Sequence, residues 1–295
     1  MTTKTVTRTV LGAYLQTNNL LGKKIQMLPH STLNEKFGIL DPTVNPVNDI
    51  TLGDLNNPSL KCLVIGNGGH RMSTGPSPDN IPFASPIQHR CTDFALFRHI
   101  PFALRDIAGG EDVTGGTFIK ANYCLRKEIT YDGVNYAAYY GRRILSPEAI
   151  SVVTKHFVTE NGEITTDENF TPTFSDNLEP EPPAIPNTGV IETSADYLAV
   201  SAILPLLLSP DEIEELKNVA NVIYGNEDLA IISEIGVCTG IDMVVPGSVP
   251  PFTDVKCCQI FTHVVTYHAA SQVNNGLEIN LELGATEPLL ALTEN

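Results

Sequence analysis

The chain has 295 residues, of which 42% are hydrophobic and 18% are charged, and its formal net charge is −16. This composition is typical of a globular protein with one large or two ordinary domains, and it excludes a chain that is disordered throughout. The longest apolar run, residues 197–208, is too short to cross a bilayer and the N-terminus has no apolar secretory core, so neither a membrane protein nor an exported one is expected.

The negative charge is concentrated in the second half of the chain. Residues 1–150 contain 15 Lys and Arg against 12 Asp and Glu, whereas residues 151–295 contain 3 against 22. A surface that follows nucleic-acid phosphates needs clustered cations, so this distribution argues against a nucleic-acid-binding protein.

The cysteines are scattered apart from one adjacent pair, and no two have the C-x2-C spacing of a zinc knuckle. We therefore expect free and mostly buried thiols, made in a reducing cytoplasm. The six are Cys62, Cys91, Cys124, Cys238, Cys257 and Cys258.

Residues 1–59 are predicted to form a short helix followed by an irregular arm. Apolar side chains from Val10 to Leu15 recur with helical spacing, and Asn18-Asn19 is expected to interrupt the helix. Residues 29–58 are rich in Pro, Asn and Asp, which favour turns over regular structure.

Residues 60–160 are predicted to form a β-rich lobe. The run LKCLVI at 60–65 is typical of a buried strand that ends at a glycine-rich turn, and the proline-rich loop at 73–86 is a candidate interaction arm. The centre of this lobe is residues 122–144, where two runs rich in Tyr, Ile and Val flank Asp132-Gly133. This dipeptide accepts the positive φ angles of a type I′ hairpin turn.

Residues 161–189 are acidic and proline-rich, so they are predicted to be a stiff linker or arm. Residues 190–295 are predicted to form an acidic α+β lobe, in which Ser209, Pro210 and Glu212 are typical of a helix start with a capping box. The whole chain is therefore expected to have a β-rich α+β fold with antiparallel sheets, hairpins, a few short helices and long proline-rich arms.

The motifs that commonly carry chemistry are incomplete in this sequence. The glycine turn at 66–69 is not followed by the Lys-Ser/Thr of a phosphate loop, and neither H-E-x-x-H nor G-x-S-x-G occurs. Potential metal ligands gather between residues 70 and 99 without a spacing that enforces coordination; they are His70, His89, Cys91, Asp93 and His99. We predict no catalytic, cofactor-binding or metal-binding residue, and an enzyme is not expected.

Three stretches in the first half carry a resemblance to a known class of proteins. IGNGGH at 65–70, QHRCTDFALFRHIPFALRDI at 88–107 and NYCLRKEITYDGVNYAAYYGRRI at 122–144 resemble uncharacterised virion structural proteins that are encoded among the tail and neck genes of contractile tailed bacteriophages. The resemblance covers about residues 60–145. It implies a structural subunit of the neck, tail or baseplate, made in the host cytoplasm and located in the virion.

This resemblance and the charge asymmetry together suggest a ring-type homo-oligomer that also contacts other virion proteins. In this hypothesis the weakly basic first lobe of one copy contacts the acidic second lobe of another. The alternatives are a hydrolase with its site near residues 66–99, or a capsid or receptor-binding accessory protein. The candidate interface residues are Arg126, Lys127, Tyr139, Tyr140, Arg142 and Arg143.

Overall fold

The computed structural model describes residues 5–39 except 24, 26 and 29, then 58–74, 82–110, 116–160, 163–170 except 169, 193–245, 252–270 and 275–290. The chain divides into two compact units, each built from segments that are distant in sequence. Unit 1 comprises residues 1–147 and 208–277, and unit 2 comprises residues 148–207 and 278–295.

Strands dominate the described residues, with four α-helices and two short 3-10 turns at 147–149 and 227–229. The helices are α1 (Val10–Leu20), α2 (Leu33–Phe37), α3 (Gly116–Asn122) and α4 (Pro210–Tyr224). The strands are β1 (Thr5–Arg8), β2 (Ser59–Gly66), β3 (His70–Thr74), β4 (Pro82–Pro86), β5 (His99–Ile100), β6 (Ala103–Asp106), β7 (Tyr123–Tyr131), β8 (Val134–Arg143), β9 (Val152–Glu160), β10 (Glu163–Asp167), β11 (Thr193–Leu208), β12 (Ile231–Val245), β13 (Phe252–Ala269) and β14 (Leu277–Leu290).

Unit 1 is organised around one antiparallel sheet of eight strands. Its order is β1-β13-β12-β2-β8-β6, while β5 also pairs with β2 and β7 with β8. Strands β13 and β7, which are not neighbours in this order, also approach each other, since Asp254 near the start of β13 accepts the backbone N–H of Leu125 on β7 at 2.6 Å, and the sheet therefore curls. A core of apolar side chains from β2, β7, β12, β13 and α2 lies inside this curl. Beside the sheet, β3 and β4 form a two-stranded antiparallel ribbon.

The β7–β8 hairpin has the turn that the sequence predicts. Asp132 and Gly133 have φ angles of 46° and 81°, and Tyr131 pairs with Val134 across the turn. Asp and Gly adopt such positive φ angles more readily than other residues do, and the turn matches the twist of the strands that it joins. The hairpin prediction is confirmed.

Helix α4 also begins where the sequence predicts. The Ser209 side chain accepts the N–H of Glu212, the Glu212 side chain accepts the N–H of Ser209, and Pro210 occupies the first helical position. Gly225 ends the helix in the left-handed conformation at φ 68°. One face of the helix is buried and carries Ile213, Leu216, Val219 and Ala220.

Unit 2 contains a sheet of four strands in the order β10-β9-β11-β14. Phe157 on β9 stacks on Tyr197 of β11, with ring centroids 4.4 Å apart. Lys155, also on β9, forms ion pairs with Glu168 at 3.0 Å and with Glu282 of β14 at 3.2 Å. The Lys155–Glu282 pair joins strands that lie more than a hundred residues apart in the chain.

The structure confirms the predicted β-rich fold with antiparallel sheets and few helices, but it divides the chain differently from the predicted lobes. β12 and β13 belong to the same sheet as β2, so residues 60–160 and 190–295 are not two separate bodies. The predicted linker at 161–189 lies mostly outside the described residues, and its residues 163–167 form strand β10. Residues 75–81, at the tip of the predicted loop at 73–86, also lie outside the described residues. The same is true of most of the predicted arm at 29–58.

Helix α1 runs through Asn18-Asn19 to Leu20. The prediction that these asparagines interrupt the helix is therefore wrong. The Asn18 amide donates to the carbonyl oxygen of Tyr14 one turn earlier at 2.8 Å, which satisfies its side chain inside the helix. Among the described residues, no helix combines the length and the apolar character that a membrane span requires.

Candidate functional site

Glu234 is a fully buried carboxylate at the centre of the candidate site. It lies on β12 directly opposite Gly66 of β2 and is 0% exposed. Its Oε1 accepts the backbone N–H groups of Gly68 and Arg98, each at 2.9 Å, and its Oε2 accepts that of Phe97 at 2.9 Å. A buried carboxylate requires such partners. Glu234 therefore joins the glycine turn after β2 to the segment that precedes β5.

The glycines of this turn are required by the close approach of β12. A Cβ added at Gly66 would lie 2.4 Å from the carbonyl oxygen of Arg98, and one added at Gly69 would lie 2.5 Å from that of Ser233. Gly69 also donates its N–H to the Ser233 hydroxyl at 3.0 Å. The turn thus binds a carboxylate and a hydroxyl of its own chain with the backbone N–H groups that would hold a phosphate in a phosphate loop.

Two histidine rings enclose the other side of the Glu234 carboxylate. His89 donates its Nε2–H to Glu234 Oε2 at 2.9 Å, and its Nδ1 lies 3.4 Å from Asp93 Oδ2. The His89 ring is stacked between Phe97 and His263, with both pairs of centroids 4.0 Å apart. His263 in turn donates its Nε2–H to the Asp93 carbonyl oxygen at 2.8 Å. We call Glu234, His89, Asp93 and His263 the polar centre.

Burial determines what the polar centre can do. Glu234 and His263 are 0% exposed and His89 is 2% exposed, so these groups have no open path to a substrate. Of the potential ligands that the sequence shows between 70 and 99, the structure brings His89 and Asp93 together and leaves Cys91 exposed. The centre is therefore suited to fix the shape of the loops above it.

Sequence reasoning missed Glu234 and His263, because neither belongs to a recognisable motif. The one signal was a single acidic residue inside the strongly apolar run of β12, AIISEIGVCTG. A charged residue at such a position is expected to be buried and therefore paired, but the sequence does not say with which groups.

The surface above the polar centre combines exposed arginines with exposed apolar side chains. The three segments concerned are held together by the Glu234 hydrogen bonds and by the Ile87 N–H, which donates to the Gly69 carbonyl oxygen at 2.8 Å. Arginine and large apolar side chains are the residues that most often dominate protein interfaces. We call this surface the arginine rim, and it consists of Arg71, Met72, Ile87, Arg90, Phe97 and Arg98.

The two candidate interface tyrosines of the hairpin both pack within the chain. Tyr139 is 0% exposed and contacts Phe252 edge to face, with ring centroids 6.0 Å apart. Tyr140 stacks on Phe37 of α2, with centroids 4.3 Å apart. Tyr139 is therefore part of the core and offers no surface to another chain.

Three of the four candidate basic residues of the hairpin form ion pairs within the chain. Arg142 binds Glu212 of α4 and also lies over the Tyr123 ring, 5.7 Å from its centroid. Arg143 binds Asp242 of β12 at 2.7 Å. Arg126 binds Glu128 at 3.1 Å, and Lys127 is partly exposed.

Several acidic residues of 208–277 form contacts with the first half of the chain inside unit 1. Glu215 binds Arg105 at 2.6 Å, and Asp242 binds Lys61 at 2.8 Å as well as Arg143. Burial opposes the ionisation of Asp242, but these two cations outweigh it and lower its pKa. Burial and the neighbouring Glu212 carboxylate raise the pKa of Tyr123, whose hydroxyl donates to that carboxylate at 2.6 Å. Part of the charge asymmetry is thus neutralised within the chain.

The buried histidines predict a loss of stability in mild acid. Burial lowers the pKa of His263 to about 4 and that of His99 to about 3, and the His99 Nε2 must stay unprotonated to accept the Leu96 N–H at 3.0 Å. The unfolded chain binds these protons below about pH 6.5, whereas the folded chain does not. As the pH falls from about 6.5 to 4, each histidine should therefore lower the free energy of unfolding by about 1.4 kcal/mol per pH unit.

This pH dependence is measured by urea unfolding at several pH values with wild type and with His263→Gln. Gln retains an N–H donor for the Asp93 carbonyl oxygen. In this variant the free energy of unfolding should depend less steeply on pH, because the contribution of one histidine is absent. His30→Asn is the matched control, because His30 is exposed and has a φ of 57°, which Asn accepts. An unchanged slope in His263→Gln would contradict the prediction.

Comparison with known proteins gives one match. A family model described as a family of unknown function, DUF7208, matches residues 1–295, and therefore both compact units. No curated protein and no solved structure gives a significant match.

Proposed function

The chain belongs to DUF7208, a family of unknown function, and we propose that it is a structural subunit that assembles head to tail into a ring. In this assembly the acidic unit 2 of one copy binds the arginine rim on unit 1 of the next. The observation that carries the proposal is the separation of charge that remains after the ion pairs inside unit 1 are taken into account.

Unit 2 is the strongly acidic part of the chain. Its residues 148–207 and 278–295 contain one Lys and fourteen Asp and Glu, a net charge of −13, whereas unit 1 accounts for −3. The single lysine, Lys155, is 8% exposed and forms the ion pairs described above. Two copies of unit 2 repel each other, so this surface favours a basic partner.

Unit 2 also exposes apolar side chains beside its acidic ones. Exposed and buried residues alternate along β11, and the exposed ones are apolar, including Val200 at 48% and Leu207 at 50%. Every residue of β10 is exposed, and Ile164 there lies between Glu163 and Asp167 with 60% of its surface accessible. An acidic and apolar surface of this kind complements one that is basic and apolar.

The arginine rim provides such a basic and apolar surface on unit 1. Arg90 has 82% of its side chain exposed, and Met72 and Phe97 are 54% and 47% exposed. The two surfaces differ, so the contact between copies is heterologous, and a heterologous contact closes a ring when its rotation is a whole fraction of a turn. Charge complementarity at this contact would fix its register and accelerate its formation.

The resemblance of residues 60–145 to virion structural proteins supports a location in the neck, tail or baseplate of a contractile bacteriophage. The chain would there contact other virion proteins as well as its own copies. Electron microscopy of purified particles tests this assignment through the position and the copy number of the chain. Its absence from the particle would contradict the virion location and leave the ring contact to be tested separately.

The ring contact predicts that charge reversal on the rim gives a monomer. Wild type should form a closed oligomer at low ionic strength, whereas Arg71→Glu with Arg98→Glu should remain monomeric, because both arginines would face an acidic surface. Size-exclusion chromatography with light scattering measures the mass. The control variant, Arg8→Glu with Lys23→Glu, changes the net charge equally outside the rim and should assemble as wild type does.

A charge-swap mixture tests whether the contact is between the two proposed surfaces. Glu163→Arg with Asp167→Arg on β10 should also be monomeric alone, and mixing it with the rim variant should restore association. A monomeric wild type, or assembly that is indifferent to both double variants, would overturn the proposal. Far-UV circular dichroism verifies that each variant is folded.

A further inference from the structure

Three of the six cysteines converge on one point in the core of unit 1, and a fourth lies beside one of them. The Sγ atoms of Cys62 and Cys258 are 3.9 Å apart, and those of Cys62, Cys238 and Cys258 all lie within 4.8 Å of one another. Each cysteine comes from a different strand and is 0% exposed. They are Cys62 on β2, Cys124 on β7, Cys238 on β12 and Cys258 on β13.

The fourth thiol, that of Cys124, lies beside Cys62 because Gly141 has no side chain. Gly141 on β8 pairs with Cys124 on one side and with Val64 of β2 on the other. A Cβ at Gly141 would lie 2.6 Å from the Cys124 sulfur. The Cys124 thiol therefore occupies the space beside Gly141 and interacts with the Cys62 thiol, as do those of Cys238 and Cys258.

A bulge in β13 directs Cys258 toward the cluster and its neighbour away from it. Cys257 has a φ of 53°, and the register between β12 and β13 shifts at this position. Asn34 of α2 fixes the bulge, because its Oδ1 accepts the Cys258 N–H at 2.9 Å and its amide donates to the Val255 carbonyl oxygen at 2.7 Å. Cys257 packs in a separate apolar cluster with Leu15 of α1.

We propose that Cys62, Cys238 and Cys258 bind one zinc ion and that Cys124, which lies beside Cys62, completes the closed structural site as its fourth ligand. A tetrahedral zinc ion with Zn–S bonds of about 2.3 Å holds its sulfur ligands about 3.8 Å apart, and the Cys62–Cys258 separation is 3.9 Å. A disulfide would instead require a sulfur–sulfur distance of about 2.0 Å. Four sulfur ligands and no access for water are typical of structural zinc sites.

The chemistry of binding follows from the burial of the site. Each thiol transfers its proton to water, and each resulting thiolate donates an electron pair to the ion, with no oxidation or reduction. Because apolar residues of the core surround the thiols, including Val64 and Ile260, the ion must enter as unit 1 folds. The guanidinium of Arg143 lies near Cys62 and offsets part of the negative charge that four thiolates give the complex.

Native mass spectrometry and elemental analysis of the full-length chain test the proposal. The protein is purified without chelators and with reductant, and one zinc ion per chain is expected. Unfolding in the presence of a zinc indicator should release the same one equivalent. Refolding with a chelator present should give a protein that melts at a lower temperature, and refolding with zinc should restore the melting temperature.

Serine variants then assign the ligands. Cys62→Ser and Cys258→Ser should each lose the ion, whereas Cys257→Ser and Cys91→Ser should retain it. Cys257 is the closest control, because it is buried and adjacent in sequence to a proposed ligand. The metal content of wild type is measured without any variant, so a variant that fails to fold does not remove the test.

Two results would overturn the proposal. A folded wild-type chain without metal would mean that the four thiols pack only as small apolar side chains. One equivalent of iron or copper in place of zinc, after growth with all three metals, would overturn the assignment of the ion.

Discussion

Replacement of Glu234 by Gln is expected to destabilise unit 1 by about 3 kcal/mol. Gln has nearly the same shape, but an NH2 group replaces one of the two carboxylate oxygens, so either the N–H of Phe97 or those of Gly68 and Arg98 lose their acceptor. Buried donors that lose their acceptor cost about 1–3 kcal/mol each when no other partner replaces it. Ala at this position leaves a cavity as well, so it should cost about 4–5 kcal/mol.

Urea unfolding followed by far-UV circular dichroism measures this effect, since the chain contains no tryptophan. Hydrogen exchange adds a local readout: the amides of Gly68 and Arg98 should exchange faster in Glu234→Gln, while those of the β7–β8 hairpin should change less. Glu214→Gln is the matched control. The Glu214 side chain is 74% exposed and pairs with Lys217 of its own helix, so the cost should be below about 0.5 kcal/mol. Equal stability of the two variants would show that Glu234 is not the anchor of these loops.

Gly66→Ala is expected to cost about 3 kcal/mol, because the added methyl group has no space. It would lie 2.4 Å from the Arg98 carbonyl oxygen and 2.6 Å from Glu234 Oε1. The first of these atoms belongs to the backbone, and the second is held by hydrogen bonds from two segments. The methyl group can therefore be accommodated only if β2 moves away from β5 or from β12.

Gly109→Ala provides the comparison for Gly66→Ala. The nearest atom to a Cβ at Gly109 is an Asp106 carboxylate oxygen at 3.0 Å, at the end of a side chain that can rotate. The change should therefore alter the free energy of unfolding by less than about 1 kcal/mol. Thermal and urea unfolding of both variants measure the difference, and a Gly66→Ala protein as stable as Gly109→Ala would contradict the close packing described for the turn.

In the proposed assembly, the basic surface is the arginine rim and not the end of the hairpin that the sequence suggested. Arg142 and Arg143 looked like a basic edge in the sequence, but their guanidinium groups bind Glu212 and Asp242. The arginines of the rim are exposed, and they lie on β3 and on the loops that Glu234 holds in place. The Glu234→Gln variant should therefore weaken the proposed ring contact as well as the fold.

Local chemistry was sufficient to predict two elements of this protein. Asp132-Gly133 determines the β7–β8 turn because its positive φ angles depend on these two residues. Ser209, Pro210 and Glu212 determine the start of α4 because a capping box closes over three residues. The apolar run at 60–65 and the runs rich in Tyr, Ile and Val at 122–144 likewise indicated strands, and hence the β-rich class. All of these signals act over a few residues.

The polar centre, the cysteine cluster and the division into units depend on contacts that no short motif encodes. Glu234 meets Gly68 across 166 residues and Cys62 meets Cys258 across 196, because β12 and β13 pair with strands from the first half of the chain. The sequence alone thus determined the β-rich class, the hairpin, the capped helix and the location of the acidic charge. Only the tertiary structure decided which charges are neutralised, which thiols meet and which arginines remain exposed, since these depend on the pairing and register of distant strands.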